Sequence, residues 1–234
     1  MMTTPADATT EQRTPLNRER VLRAAVEVAD GGGIESLTMR NLAQHLGVEA
    51  MSLYYHVANK EALLDGVVEV IVSEIREAVA SDEGPDPEEG WKTAMRTRIL
   101  TARTVLLRHR WAPEVIEKRS TMSPAIVLYY EGVLEIFRKG GFSYDLAHHA
   151  LHALGSRALG FTQELFQPDG NADEQVGEEM LAEMANELPH LFGMLSEIAH
   201  DDPDSTLGWC DDQAEFEFGL DLMLDGLERV KESR

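Results

Sequence analysis

The chain has 234 residues, with 21 Lys and Arg against 42 Asp and Glu, for a formal net charge of −21. Its 43% hydrophobic and 27% charged content supports a packed core in one or two domains and excludes disorder throughout. No apolar run approaches the ~20 residues of a membrane span, no charged-then-apolar leader opens the sequence, and the lone Cys210 rules out an internal disulfide, so a cytoplasmic protein is expected.

The charge is unevenly placed. Residues 10–64 carry six basic and seven acidic side chains, whereas residues 65–234 carry 15 basic and 34 acidic ones. An acidic body repels phosphate, yet a nearly neutral N-terminal quarter holding Arg18, Arg20, Arg23, Arg40 and Lys60 can still face it.

In chain order, residues 1–14 are polar and aperiodic and read as a flexible arm. From Leu16, the stripe Val21, Leu22, Ala25, Val28 and Ala29 has helical spacing, and Gly31-Gly32-Gly33 stops it. Thr38 caps a short helix to about His45; Gly47 breaks it; a second short helix runs from about Glu49 to His56. Asn59 caps a long helix to about Ala80, its inner face built from Leu63, Leu64, Val67, Val70, Ile71 and Ile75. Residues 81–90, with two Pro, two Gly and five acids, read as a linker. Helical patterns resume at about 90–108, 114–118, 123–139, 144–166, 174–199 and 211–231. Strand signals are nearly absent, and the expected fold is all-α.

The two short helices around Gly47 have the proportions of a helix-turn-helix. Ala43 is small enough for a close helix crossing, and Gly47 can adopt the positive φ of the turn. Leu42, Leu46, Val48, Leu53 and Val57 would pack onto the first helix, which leaves Ala50, Met51, Ser52, Tyr54 and Tyr55 outside the core. A groove-reading face explains two large aromatics left without partners.

Residues 34–65, and the LYYH-x-x-NKE-x-LL run from Leu53 to Leu64 above all, resemble the DNA-binding segment of the tetracycline-repressor (TetR) family of transcriptional regulators. A weaker likeness to the tetracycline-repressor subgroup continues through Trp91, LLRHR at 106–110, GGFS at 140–143 and the closing FGLDLMLDGLE. The resemblance implies a three-helix DNA-binding domain at 15–58, joined by a long helix to an α-helical ligand-binding and dimerisation domain at 59–234. It implies a homodimer on an inverted-repeat operator in double-stranded DNA, released by a small-molecule effector, with no cofactor, no membrane partner and no catalysis. Arg40 matches a base-reading position; Ala50, Met51 and Tyr54 match base-facing positions of the recognition helix. Ser52, Tyr55, His56 and Lys60 match phosphate-holding positions. The family's drug binders hold a magnesium chelate with a histidine and, through water, a glutamate. The same landmarks place Ile116 and Glu164 there, with Arg76, Arg98 and Ala102 where binders carry His, Asn and Phe. The implied effector is therefore not a magnesium–tetracycline chelate, and Arg98, His148, His152 and Glu164 are its candidate polar contacts, with Ile116 beside them.

Other signals leave alternatives open. Asp145, His148, His149 and His152 crowd one helix, and Asp145, His148 and His152 with Glu164 could serve a metal-dependent enzyme, although no HExxH motif accompanies them. A DNA-binding regulator without an effector is the other rival. Leu151, Leu154, Ala158, Phe161 and Leu165 form one apolar stripe, and Phe216, Leu220, Met223, Leu224, Leu227 and Val230 another. Both suit either a four-helix dimer interface or intramolecular core. Met180, Met184, Phe192 and Met194 could line a pocket or simply pack. Residues 167–179 and 200–212 read as acidic loops near a pocket mouth or as plain linkers.

Overall fold

A computed structural model describes residues 15–81, 86–119, 122–160, 185–190, 192–193 and 212–233. The arm at 1–14, Glu164, the stripe residues Phe161 and Leu165, the three methionines and the two acidic loops lie outside the described residues, apart from Asp212. Among the described residues there is no strand. The helices are α1 (Arg18–Gly32), α2 (Met39–Leu46), α3 (Ala50–Leu53), α4 (Lys60–Ser81), α5 (Pro87–Arg108), α6 (Ala112–Glu117), α7 (Pro124–Lys139), α8 (Tyr144–Gly160) and α9 (Asp212–Glu232), with a 3-10 turn at Ile34–Ser36.

The chain forms two compact units: residues 1–74 with 108–126, and residues 75–107 with 127–234. In the first, Asn17 caps α1 by accepting from the Arg20 amide at 2.8 Å, and Gly33, at φ 76°, ends it. Val21, Leu22, Ala24, Ala25, Val26 and Ala29 bury the inner face of α1, against which α2 packs. Leu37, Leu42, Leu53, Leu63, Val67 and Ile71 are fully buried in this unit. Burying each such aliphatic side chain contributes about 1.5–3 kcal/mol, which holds elements too short to be helical alone.

The second unit is built on α5, α7, α8 and α9 around Trp91, Met95, Phe137, Phe142, Leu146, Phe216, Leu220 and Leu224. Trp91 meets Phe142 edge-on at 4.6 Å between ring centroids, and its indole Nε1 donates to Glu228 at 3.2 Å. Arg96 of α5 pairs with Glu217 at 2.6 Å and Asp221 at 2.7 Å on α9, and Lys92 pairs with Asp225. The apolar period of α9 thus has an intramolecular use: Phe216, Leu220 and Leu224 are wholly enclosed by their own unit. The large apolar residues that α9 leaves in solvent are Phe218 and Leu222, 65% and 53% exposed, together with Val230. On α8, Leu154 is core and Leu151 and Ala158 pack against it.

Candidate nucleic-acid interface

Local chemistry builds the helix-turn-helix as its sequence requires. The Thr38 hydroxyl accepts from the Asn41 amide at 3.1 Å and starts α2. Gly47 takes the left-handed conformation, φ 65° and ψ 36°, which a side chain would disfavour by about 1–2 kcal/mol. The Val48 amide then donates back to the Ala43 carbonyl at 3.0 Å, the 6→1 bond of a Schellman turn, and sends the chain towards α3. The second helix is shorter than its sequence suggests: four residues, Ala50–Leu53, rather than Glu49 to His56. Glu49 makes no side-chain cap, and the His56 and Val57 amides both turn back to the Leu53 carbonyl at 2.9 Å. Asn59 caps α4 through the Ala62 amide at 2.8 Å, which sets Lys60 at the helix start.

On this frame Leu53 and Val57 point inward, while Met51, Tyr54 and Tyr55 are 72%, 45% and 88% exposed. Ala50, Ser52 and His56 are half-buried, and Arg40 and Lys60 are exposed. Arg18 pairs with Glu69 at 3.1 Å and Arg23 with Glu19 at 2.9 Å, but Arg40 and Lys60 make no ion pair among the described residues. Two uncommitted cations thus accompany an exposed aromatic surface, the combination that phosphate and base-edge contacts need.

A cluster that sequence reading missed lies in the same unit. His109, 7% exposed, has Nδ1 2.8 Å from Asp30 Oδ1 and Nε2 3.2 Å from Glu74 Oε2. The Trp111 indole Nε1 donates to the same Asp30 oxygen at 2.7 Å. Arg119 adds a second clamp, 2.8 Å from Glu61 and 3.2 Å from Asp65 on α4. The available signal was Asp30 itself. An acid in the last turn of α1 opposes the helix dipole and needs a compensating donor.

The expected effector contacts that are described lie on α5, α6 and α8. Arg98 is half-buried in α5, and Ile116 is half-buried in α6. His148 and His152 are exposed on α8 with ring centroids 4.7 Å apart, and Asp145 lies 3.8 Å from the equally exposed His149. Among the described residues no three potential ligands come together around a metal position.

Residues 21–67 match the family described as bacterial regulatory proteins, tetR family, and residues 84–231 match the tetracyclin repressor-like C-terminal domain. The chain belongs to the TetR family. It is 30% identical to the class C tetracycline repressor of Escherichia coli over 92% of each chain. The actinorhodin complex of the TetR family protein ActR from Streptomyces coelicolor superimposes with a TM-score of 0.70 at 25% identity, over 93% of this chain and 99% of that one. The minocycline complex of a TetR variant from Acinetobacter baumannii gives 0.63 at 28%, over 92% and 95%. TetR-family proteins are DNA-binding regulators and not enzymes, so the metal-enzyme alternative is set aside. No described helix is long and apolar enough to cross a membrane.

Proposed function

We propose that this TetR-family regulator is a cytoplasmic homodimeric repressor that binds an inverted-repeat operator and releases it when a small molecule binds. Residues 15–58 would read the DNA, and residues 59–234 would sense the effector and dimerise. The observation that carries the reading is the exposure of Met51, Tyr54 and Tyr55 together with that of Arg40 and Lys60, which have no ion-pair partner among the described residues. Arg40 is assigned a base edge, where a guanidinium can grip guanine in bidentate fashion. Ala50, Met51 and Tyr54 are assigned apolar base contact, for example to a thymine methyl. Ser52, Tyr55, His56 and Lys60 are assigned phosphates, Lys60 aided by the positive end of α4.

Dimerisation is assigned to the outward faces of α8 and α9, where Phe218 and Leu222 stand in solvent one helical turn apart. Two recognition elements one DNA turn apart then require a symmetric site. An effector acts by favouring a body conformation in which that spacing is lost. Ligand response is supported by the relatives solved with actinorhodin and with minocycline. The test is selection of bound DNA from a random pool by the purified protein. An inverted repeat is expected; a non-symmetric site, or a monomer bound to DNA at micromolar concentration, refutes the reading.

A further inference from the structure

Arg98, half-buried in α5, lacks the carboxylate partner that several cations of the second unit have among the described residues. Lys92, Arg96, Lys139 and Lys231 each lie within ion-pair distance of a carboxylate. Arg98 makes no ion pair among the described residues. Its Nη2 donates to the Tyr129 carbonyl at 3.1 Å, its Cζ sits 4.9 Å over the Tyr129 ring, and its Nε is buried without a hydrogen-bond partner among the described residues. Burial pushes the Tyr129 phenol above its ordinary range, outweighing the Arg98 guanidinium that hydrogen-bonds it and pulls the other way, so this partner supplies no counter-charge.

The guanidinium is accommodated by the bare backbone of α7: a Cβ at Gly132 would stand 2.6 Å from Nη2 and 3.1 Å from Cζ. Beside it runs a groove of about 260 Å³, walled by Val79, Ala94 and Ile136 and edged by the Glu135–Lys139 pair, whose charges cancel at 2.9 Å. An arginine cannot shed its proton to escape a poorly solvated site. A half-buried cation without a carboxylate among the described residues is therefore an incomplete arrangement.

Resting on the reading of the second unit as the sensor, we propose that the groove between α5 and α7 takes a small monoanion with an apolar one- or two-ring body, its carboxylate paired with Arg98. Val79, Pro87, Ala94 and Ile136 hold the rings, Thr97 and Thr101 make the rest of the wall polar, and the volume, just below that of ordinary ligand pockets, excludes large polycyclic molecules. A neutral isostere of the ligand leaves the guanidinium as unsatisfied as before and gains only the wall contacts.

The test is calorimetric titration of the full-length protein with 2-naphthoate and, separately, with 2-naphthamide, repeated on Arg98→Gln. The wild type is expected to bind the acid at least tenfold more tightly than the amide, and Arg98→Gln to lose that preference while keeping the amide's affinity. Thermal unfolding of Arg98→Gln at or above the wild-type temperature confirms that the variant is folded. Equal binding of acid and amide, a preference that survives in Arg98→Gln, or no binding of the acid at millimolar concentration overturns the proposal. Adding selected DNA to the wild-type titration separates the two readings. Failure of ligand-free protein to bind any DNA overturns the regulatory reading and leaves the acid-to-amide ratio to decide the site.

Discussion

Replacing Asp30 isolates what ties residues 108–119 to α1. The carboxylate serves two donors at once, His109 Nδ1 at 2.8 Å and Trp111 Nε1 at 2.7 Å, both to Oδ1. A hydrogen bond to a charged acceptor contributes a net of about 1.5–3 kcal/mol, and the lost carboxylate leaves two enclosed donors unsatisfied. The His109 side chain is 9% exposed, so water cannot fully replace the acceptor; Asp30 itself is 32% exposed, which keeps the cost below that of a wholly buried pair. Asp30→Ala should therefore cost roughly 2–3 kcal/mol, a fall of roughly 5–10 °C in unfolding temperature for a chain of this size. Asp30→Asn retains Oδ1 as an acceptor for both donors but loses the charge and the Oδ2 contact to His109 Nδ1 at 3.0 Å, and should cost less than Asp30→Ala, about 1–2 kcal/mol. The assay is thermal unfolding of the two variants at one fixed protein concentration, since dimerisation would shift the temperature with dilution. Equal destabilisation by Ala and Asn, or an Ala variant within about 0.5 kcal/mol of wild type, would show that the shared acceptor does not stabilise this unit.

The other predictions concern binding. Lys60→Ala should weaken binding to every DNA sequence and flatten its salt dependence, read by fluorescence anisotropy across salt concentrations. Arg40→Ala should cost about 1–3 kcal/mol and relax preference at one base pair per half-site; an unchanged selected motif would remove its base-reading role. Phe218→Glu with Leu222→Glu should convert a dimer to a folded monomer in sedimentation, because both side chains are in solvent and neither supports the core; an undiminished dimer would move the interface elsewhere. Calorimetry with tetracycline and magnesium should show no micromolar binding, and a tight complex that vanishes on chelation would contradict the replacement of the chelating histidine by Ile116.

Local signals were the legible part of the sequence. Thr38, Gly47 and Asn59 act as their side chains dictate, because capping and turn chemistry need only neighbouring residues. The length of α3 was less legible, since its end is set by two amides converging on one carbonyl and not by a breaker residue. A period of 3.6 also states that a face is buried without saying by what. Phe216, Leu220 and Leu224 fit a dimer seam and an internal core equally, and the core took them, leaving Phe218 and Leu222 outside. The Asp30–His109 contact spans 79 residues, and no local pattern encodes a pair so far apart. Arg98 was legible as a candidate through the resemblance, but its lack of a counter-charge among the described residues was visible only in three dimensions.

Among the described residues of the unit proposed to read DNA, few cations stand without an ion pair, with a consequence for how the protein would find its target. Each phosphate neutralised adds about 0.9 to the slope of log affinity against log salt on duplex DNA. With Arg18, Arg23 and Arg119 tied to carboxylates, few charges remain to grip an arbitrary stretch of backbone. The net charge of −21 repels the polyanion as a whole. Random genomic sequence is then a shallow sink: encounters are brief, little protein is titrated away, and occupancy of a true site is governed by the competition it does not face.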